Sequence, residues 1–415
     1  MSIKSHLFSD FYKGNSMNII QLYKDSFSGV NPRIWYLALI TLINRSGAMV
    51  LPFLSLYLTS EEGYSLATAG TILMFYGVGS FCGNYIGGIL TDRIGAFKIQ
   101  LLSLFTTAIS FLVLLKLHSP LSIAIGLFAT SLLADAFRPA NMASVSVLSN
   151  SENRTKAIGI IRLAINLGFA AGPASGGLIA FSLGYEWLFI IDAATCLIAA
   201  LFLLLIFKTE LINERIKDKV SPVEKPSMKL VFKDSTFIWF VLFVFLIACV
   251  FMQFFNTIPV FFKQDLFLNE NQIGLLMALN GVLVVILELP MIHLLKGRNP
   301  MKLIALGCIL IALCYAVLIF DSWLGVSILC LLFFSIGEIL VLPYTTTAIM
   351  NRAPDHLRGR YLALYGMAFS LCHMIAPVYG MQIAERMGFS TLWIFISILI
   401  LIPTIGIWRM RKSFN

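Results

Sequence analysis

Charge is what this sequence has least of. Asp, Glu, Lys and Arg make up 12% of its 415 residues, against about a quarter in a soluble domain. Hydrophobic residues reach 59%, more than one soluble core can hide, so most of the chain must face lipid or other membrane helices. The G-x4-G-K-[ST] phosphate loop is missing, which excludes ATP as a driving force through that chemistry. The seven cysteines (Cys82, Cys196, Cys249, Cys308, Cys314, Cys330, Cys372) all fall in apolar stretches. They have neither metal-ligand spacing nor the pattern of a disulfide framework and read as small buried side chains. No catalytic triad and no metal cluster is found, so neither an enzyme nor a cofactor is expected. A cleavable signal peptide is not expected either: the first 33 residues are mixed polar and aromatic, and the first long apolar run starts near Ile34.

A helix crossing the hydrocarbon core needs about 20 apolar residues. Such spans are read at 34–58, 67–90, 99–116, 121–147, 157–182, 186–207, 236–262, 272–295, 303–320, 324–349, 359–383 and 390–408. The expected fold is an all-α polytopic membrane protein. A charged stretch at 208–235 divides the spans six and six, giving an N-terminal segment 1–33, bundles at 34–207 and 236–409, a linker at 208–235 and a tail at 410–415. With the N-terminus placed in the cytoplasm, 24 of the 30 Lys and Arg lie inside and only Lys116, Lys263 and Arg386 outside. That bias puts both termini in the cytoplasm. It also turns the net charge of +9 into scattered topology signal, so no nucleic-acid partner is expected.

A shift of 204 residues superimposes the two halves. It aligns Gly70 with Gly274, Gly77 with Gly281, Lys98 with Lys302, Pro139 with Pro343, Arg154 with Arg358, Pro173 with Pro377 and Gly184 with Gly388. Six spans per half is an even number, so the halves lie parallel, related by an axis along the membrane normal. A substrate site is then expected near the midplane between them.

Two motifs carry a family resemblance. After span two comes Gly88-Ile-Leu-Thr-Asp92-Arg93-Ile-Gly95-Ala-Phe-Lys98. Here Gly88 allows close helix approach, and Asp92 suits the exposed amides at the start of a neighbouring helix. The second half has Lys296 in place of Asp92, so such a latch exists on one side only. Span five carries Gly159, Gly168, Gly172, Pro173, Gly176 and Gly177 at fixed spacing, a small-residue face bent by proline, open to a reading as generic helix packing. The first motif resembles the G-x-L-x-D-R-x-G-R-R/K signature of the major facilitator superfamily, departing from it at Ala96 and Phe97. The second is similar to that superfamily's antiporter motif at every defined position. The resemblance, closest to the twelve-span drug:proton antiporter group, implies a monomer in the cell inner membrane that moves a small molecule by alternating access. It further implies span eleven, near Arg358, as the neighbour of Asp92, and spans one, four, seven and ten as the cavity lining.

Ionisable groups within a membrane are functional candidates by default. Arg45, Asp135, Arg138 and Glu338 fall near mid-span, and Glu288 lies nearer the cytoplasm. Glu338 reads as a proton carrier and substrate contact, or as half of a structural pair with Arg45 or another group. Asp135 and Arg138, three residues apart, share a helical face: they either neutralise each other or, since Arg138 resembles the family's span-four coupling arginine, act as a switchable pair. Arg45 either holds a substrate anion or pairs with Asp135. Glu288 is a candidate for gating. Arg162, Asp192 and His373 are read as structural. Gln253 and Asn256 are candidates for cavity polarity. The expected function is proton-coupled efflux of lipophilic small molecules, with protons, substrate and the bilayer as partners. The alternatives are a proton symporter for a zwitterion such as a small peptide or amino acid, and a non-transporting receptor or scaffold.

Overall fold

The computed structural model describes residues 29–150, 153–213, 228–320, 324–354 and 357–414. Among these residues twelve helices are long and apolar enough to cross a membrane: α1 (Pro32–Glu61), α2 (Leu66–Ile94), α3 (Ala96–Leu114), α4 (Pro120–Leu148), α5 (Lys156–Leu183), α6 (Glu186–Ile206), α7 (Ser235–Gln264), α8 (Glu270–Leu294), α9 (Pro300–Val317), α10 (Leu324–Arg352), α11 (Arg358–Met387) and α12 (Phe389–Lys412). No strand occurs among the described residues. Most of the expected N-terminal segment (1–28) and the middle of the expected linker (214–227) lie outside them. The described parts of the linker include short helices, Lys208–Asn213 and Met228–Phe232. The expected tail is docked, with Phe414 lying 4.9 Å from the Phe240 ring and beneath the Arg352 guanidinium.

Polar residues mark where these apolar helices begin. Asn31, Ser65, Ser119, Asp234, Asn269 and Asn299 each accept a hydrogen bond from a first-turn amide, satisfying donors that hydrocarbon cannot. Helices α2, α5 and α11 end at Gly95, Gly184 and Gly388 with φ of 113°, 98° and 83°, a region that only glycine enters freely. Four helices break just ahead of a proline. Segments restart at Val50 before Pro52, at Phe137 before Pro139, at Ile258 before Pro259 and at Leu401 before Pro403. A proline in a first turn lacks only an amide that has no helical partner there, whereas deeper in a helix it clashes with the preceding turn.

Each bundle is built alike. In the first half α1 packs on α5 and α6, α2 on α4, and α3 on α4 and α6; in the second α7 packs on α11 and α12, α8 on α10, and α9 on α10 and α12. Two seams join the halves, α5 with α8 and α2 with α11. A methyl added to Gly274 would meet the Gly177 Cα at 2.8 Å, and one added to Gly70 would meet the Met381 Cβ at 2.8 Å. Residues 70 and 381 become 274 and 177 under the 204-residue shift, so the repeat read from sequence is also a repeat of contacts.

The two ends of the molecule differ. At the end away from the Lys- and Arg-rich loops, Val50–Leu56 of α1 packs against Ile258–Gln264 of α7. There Glu385 of α11 accepts from the Ala67 amide at 2.6 Å, and Glu270 of α8 accepts from the Tyr185 hydroxyl at 2.9 Å and from Lys263 at 2.6 Å. This end is closed. Toward the basic end a methyl on Gly159, Gly359 or Gly366 would meet nothing within 4 Å, and no comparable contact joins Phe137–Leu148 of α4 to α10. The halves diverge there, and the space between them opens at the basic end.

Candidate functional site

Glu338 lies half-buried on α10. Asn280 of α8 donates to its Oε2 at 3.0 Å and to Ser335 Oγ at 3.1 Å. Among the described residues no cation lies within ion-pair distance of Glu338; the nearby pair belongs to Glu288. One turn earlier on α10, Phe334 stacks on Phe254 at 3.9 Å and on Phe251 at 4.9 Å, with Phe255 at 5.1 Å from Phe254. A lone carboxylate therefore sits one turn from a phenylalanine stack shared by α7 and α10, in which Phe251, Phe254 and Phe334 are buried in the core and Phe255 is half-buried.

Glu288, on the same face of α8 as Asn280, is buried and crosses the seam. Arg162 of α5 donates to its Oε1 at 2.6 Å and Asn166 to its Oε2 at 3.4 Å. The Arg162 side chain remains 56% exposed, which places the pair at the edge of the open space. Sequence reasoning treated these two residues separately, because 126 positions part them.

The first half contributes a second charged group. Arg138 Nε lies 2.9 Å from Asp135 Oδ1, an i,i+3 pair, with the arginine half-exposed and the aspartate buried. The other oxygen of Asp135 and Nε of Arg45 are both buried without a hydrogen-bond partner. Arg45 lies within electrostatic reach of Asp135, Arg138 and Tyr76 without forming an ion pair, and His373 of α11 is within reach of Asp135 and Arg138. The structure thus pairs Asp135 with Arg138 and leaves Arg45 unpaired and Glu338 distinct from it.

The motif residues are distributed as follows. Gly168, Gly172 and Gly176 face α1 from Arg45 to Phe53, Gly177 faces α8, and Gly159 faces open space. Asp92 and Arg93 are exposed at the basic end of α2, and no hydrogen bond among the described residues joins Asp92 to the start of α11. The halves are apart there. Gly88, expected at a close approach, has only the Pro139 Cβ at 4.0 Å; its neighbour Gly87 makes that approach, with Ala136 Cα 2.5 Å from an added methyl. Gly95 caps α2. Gln253 does not line the space: it is fully buried and donates to Ala376 O at 2.7 Å, fastening α7 to α11. Asn256 is half-buried and donates to Met252 O of its own helix.

Sequence reasoning missed Asn280, Asn166, Glu270 and Glu385. A signal existed for one of them: the 204-residue shift aligns Asn280, which bonds Glu338, with Tyr76, which lies within electrostatic reach of Asp135. Two apolar grooves of about 280 and 230 Å3, beside α3, α4 and α2, contain no ionisable group.

Known proteins share the fold and the sequence pattern of this chain. The chain is 23% identical over 384 residues to a Na(+), Li(+), K(+)/H(+) antiporter of Planococcus maritimus, covering 85% of this chain and 89% of the relative. It is 24% identical over 324 residues to multidrug resistance protein 2 of Bacillus subtilis (strain 168), covering 76% and 79%. A solved POT family transporter in complex with 5-aminolevulinic acid shares the fold, with a TM-score of 0.79 at 16% identity, covering 94% of this chain and 98% of that one. The nucleoside transporter NupG gives a TM-score of 0.76 at 14% identity, covering 91% and 98%. The family pattern described as Major Facilitator Superfamily matches residues 35–377: this multi-pass transporter, which is not an enzyme, belongs to the major facilitator superfamily.

Proposed function

We propose that the protein is a proton-coupled exporter of lipophilic, cationic small molecules, set in the cell membrane with its basic end in the cytoplasm. The observation that carries this reading is Glu338, a carboxylate in the open space with no cation of its own. One carboxylate holds either a proton or a cationic solute, and exclusive occupancy is what exchange requires. Of the adjacent phenylalanines, half-buried Phe255 is the one that offers ring surface to a lipophilic cation, the others being packed in the core. In this conformation the solute enters from the cytoplasm and displaces the proton of Glu338. The halves then rock about the α5/α8 and α2/α11 seams, the closed end opens, and an external proton displaces the solute. Asp135 and Arg138 respond across the axis as a pair that can part. Among the relatives, the Na(+), Li(+), K(+)/H(+) antiporter supports exchange of a cation against protons and multidrug resistance protein 2 supports drugs as cargo.

The test is transport in proteoliposomes under an imposed pH gradient, with lipophilic cations and small peptides as solutes. Cations are expected to move against the proton flow. Glu338→Gln should abolish that movement while the folded protein still reaches the membrane; undiminished transport by the variant would sink the assignment. A second reading has one observation in its favour, the unpaired Arg45 beside Arg138. Opposite Glu338, these arginines suit the carboxylate of a zwitterion, and peptide moving with the protons would make the protein an importer.

A further inference from the structure

Asp192 of α6 belongs to none of the groups above, yet it is a buried carboxylate, 2% exposed. Its two oxygens accept from two successive backbone amides of α1, Oδ1 from Met49 at 3.0 Å and Oδ2 from Val50 at 3.1 Å. These amides stand where α1 restarts after its break. The break is enclosed on its remaining sides: a methyl on Gly168 would meet the Arg45 carbonyl carbon at 2.9 Å, one on Gly176 the Met49 Cβ at 3.1 Å, and one on Gly47 the Thr195 Cβ at 2.6 Å. The segment restarting at Val50 is the one that packs on α7 at the closed end.

We propose that Asp192 is a second proton-sensitive carboxylate of this transporter, a positioning residue whose charge pins the outer half of α1 in the closed gate. The proposal rests on the reading of the protein as proton-coupled and adds a site to it. The chemistry is that of donors and acceptors. The carboxylate accepts from both amides. A proton from the external solution, added to one oxygen, makes that oxygen a donor facing an N–H donor, and one of the two bonds is lost. By linkage, the conformation in which the amides have withdrawn binds the proton more tightly, so acid favours opening of the closed end. Few other titratable or charged groups face this point. Arg45 and Tyr57 are on α1, Tyr76 is on α2 and Cys196 is on α6, while α3 has only Lys98 at its far end and α5 nothing titratable beyond Arg162. None of them makes an ion pair with Asp192.

The test measures the gate directly. Ser60 on α1 and Gln264 on α7 are exposed at the closed end. Six of the seven cysteines are buried and Cys82 is half-buried, so Ser60→Cys and Gln264→Cys in a Cys82→Ser background accept nitroxide labels. Electron-resonance distances are read in nanodiscs at acidic and alkaline pH. In the otherwise native protein the distance should lengthen on acidification. Asp192→Asn, which places one donor and one acceptor against the two amides, should give the long distance at both pH values. Asp192→Glu keeps a charge and should keep the pH response. A wild-type pH response in Asp192→Asn overturns the proposal, and so does its absence in Asp192→Glu, which decides the matter if the asparagine variant fails to fold. Glu338→Gln in the same background separates the two readings. Loss of proton-driven transport with the gate response intact supports both, whereas unchanged transport with the response intact retires the exporter reading alone.

Discussion

Asp234 shows how much one side chain organises at the basic end of the second half. It caps α7 through the Phe237 amide at 3.1 Å, takes both Nε and Nη2 of Arg352 at 2.7 and 2.6 Å, and accepts from the Tyr361 hydroxyl at 3.0 Å. Burial pushes its carboxyl up, but the Arg352 guanidinium, the amide and the hydroxyl outweigh burial and hold it below the ordinary carboxylate range. A folded-state value below the unfolded one means stability that is fully present above about pH 3.9 and is lost as pH falls through the lower, folded value. The contribution of Asp234 to thermal stability in detergent should therefore be constant across neutral pH and weaken only in strong acid, and that acid limb should shrink in Asp234→Asn. Arg352→Ala leaves the carboxylate without its cation and should cost about 1–3 kcal/mol, read as a lowered Tm; an unchanged Tm would show the pair to be solvated. At this scale the sequence reveals half of each partnership. Glu338, Glu288 and Asp192 stand out as charges in apolar runs, but Asn280, Arg162 and the Met49 and Val50 amides are brought to them by packing across 58, 126 and more than 140 residues.

At the scale of the helix, glycines of one motif have different fates. Gly177 and Gly274 touch backbone to backbone, so Gly274→Val should overpack the α5/α8 seam at a cost of about 1–3 kcal/mol. Gly159 faces open space in the same motif, and Gly159→Ala should stabilise this conformation by as much as about 1 kcal/mol through helix propensity alone. Comparing Tm and transport for the two variants separates the motif's packing positions from its spacing; equal losses would contradict the contacts described above. The helices themselves were legible, since apolar runs of membrane length and polar caps are local properties. The breaks in α1, α4, α7 and α12 were half legible. Pro52, Pro139, Pro259 and Pro403 flag them, yet Pro173, Pro290, Pro343 and Pro377 lie within unbroken helices, and only the neighbours decide which prolines break. Gly87 and Gly88 make the same point, because a shift of one residue turns a glycine by about 100° around the helix.

For the whole molecule, the repeat predicts the architecture and the departures from it give the repeat a direction. The same shift that maps one seam onto the other also maps Glu288 onto Asn84 and Arg162 onto Gly366, so the ionic pin exists at α5/α8 alone. Near the basic end that seam stays fastened at 2.6 Å. Its counterpart is loose, with Gly88 and Gly366 lacking close neighbours on the opposite helix. That difference between the seams predicts a side slot between α2 and α11 that faces hydrocarbon rather than water. A solute dissolved in the adjacent leaflet would reach Glu338 through such a slot without first crossing into the aqueous phase. Its apparent KM, expressed as aqueous concentration, should then fall as its membrane partition coefficient rises across a series of equal charge, and a KM indifferent to partitioning would mean that the slot is shut to cargo. Concentration by the bilayer, more than affinity at the carboxylate, would then decide which compounds this protein carries.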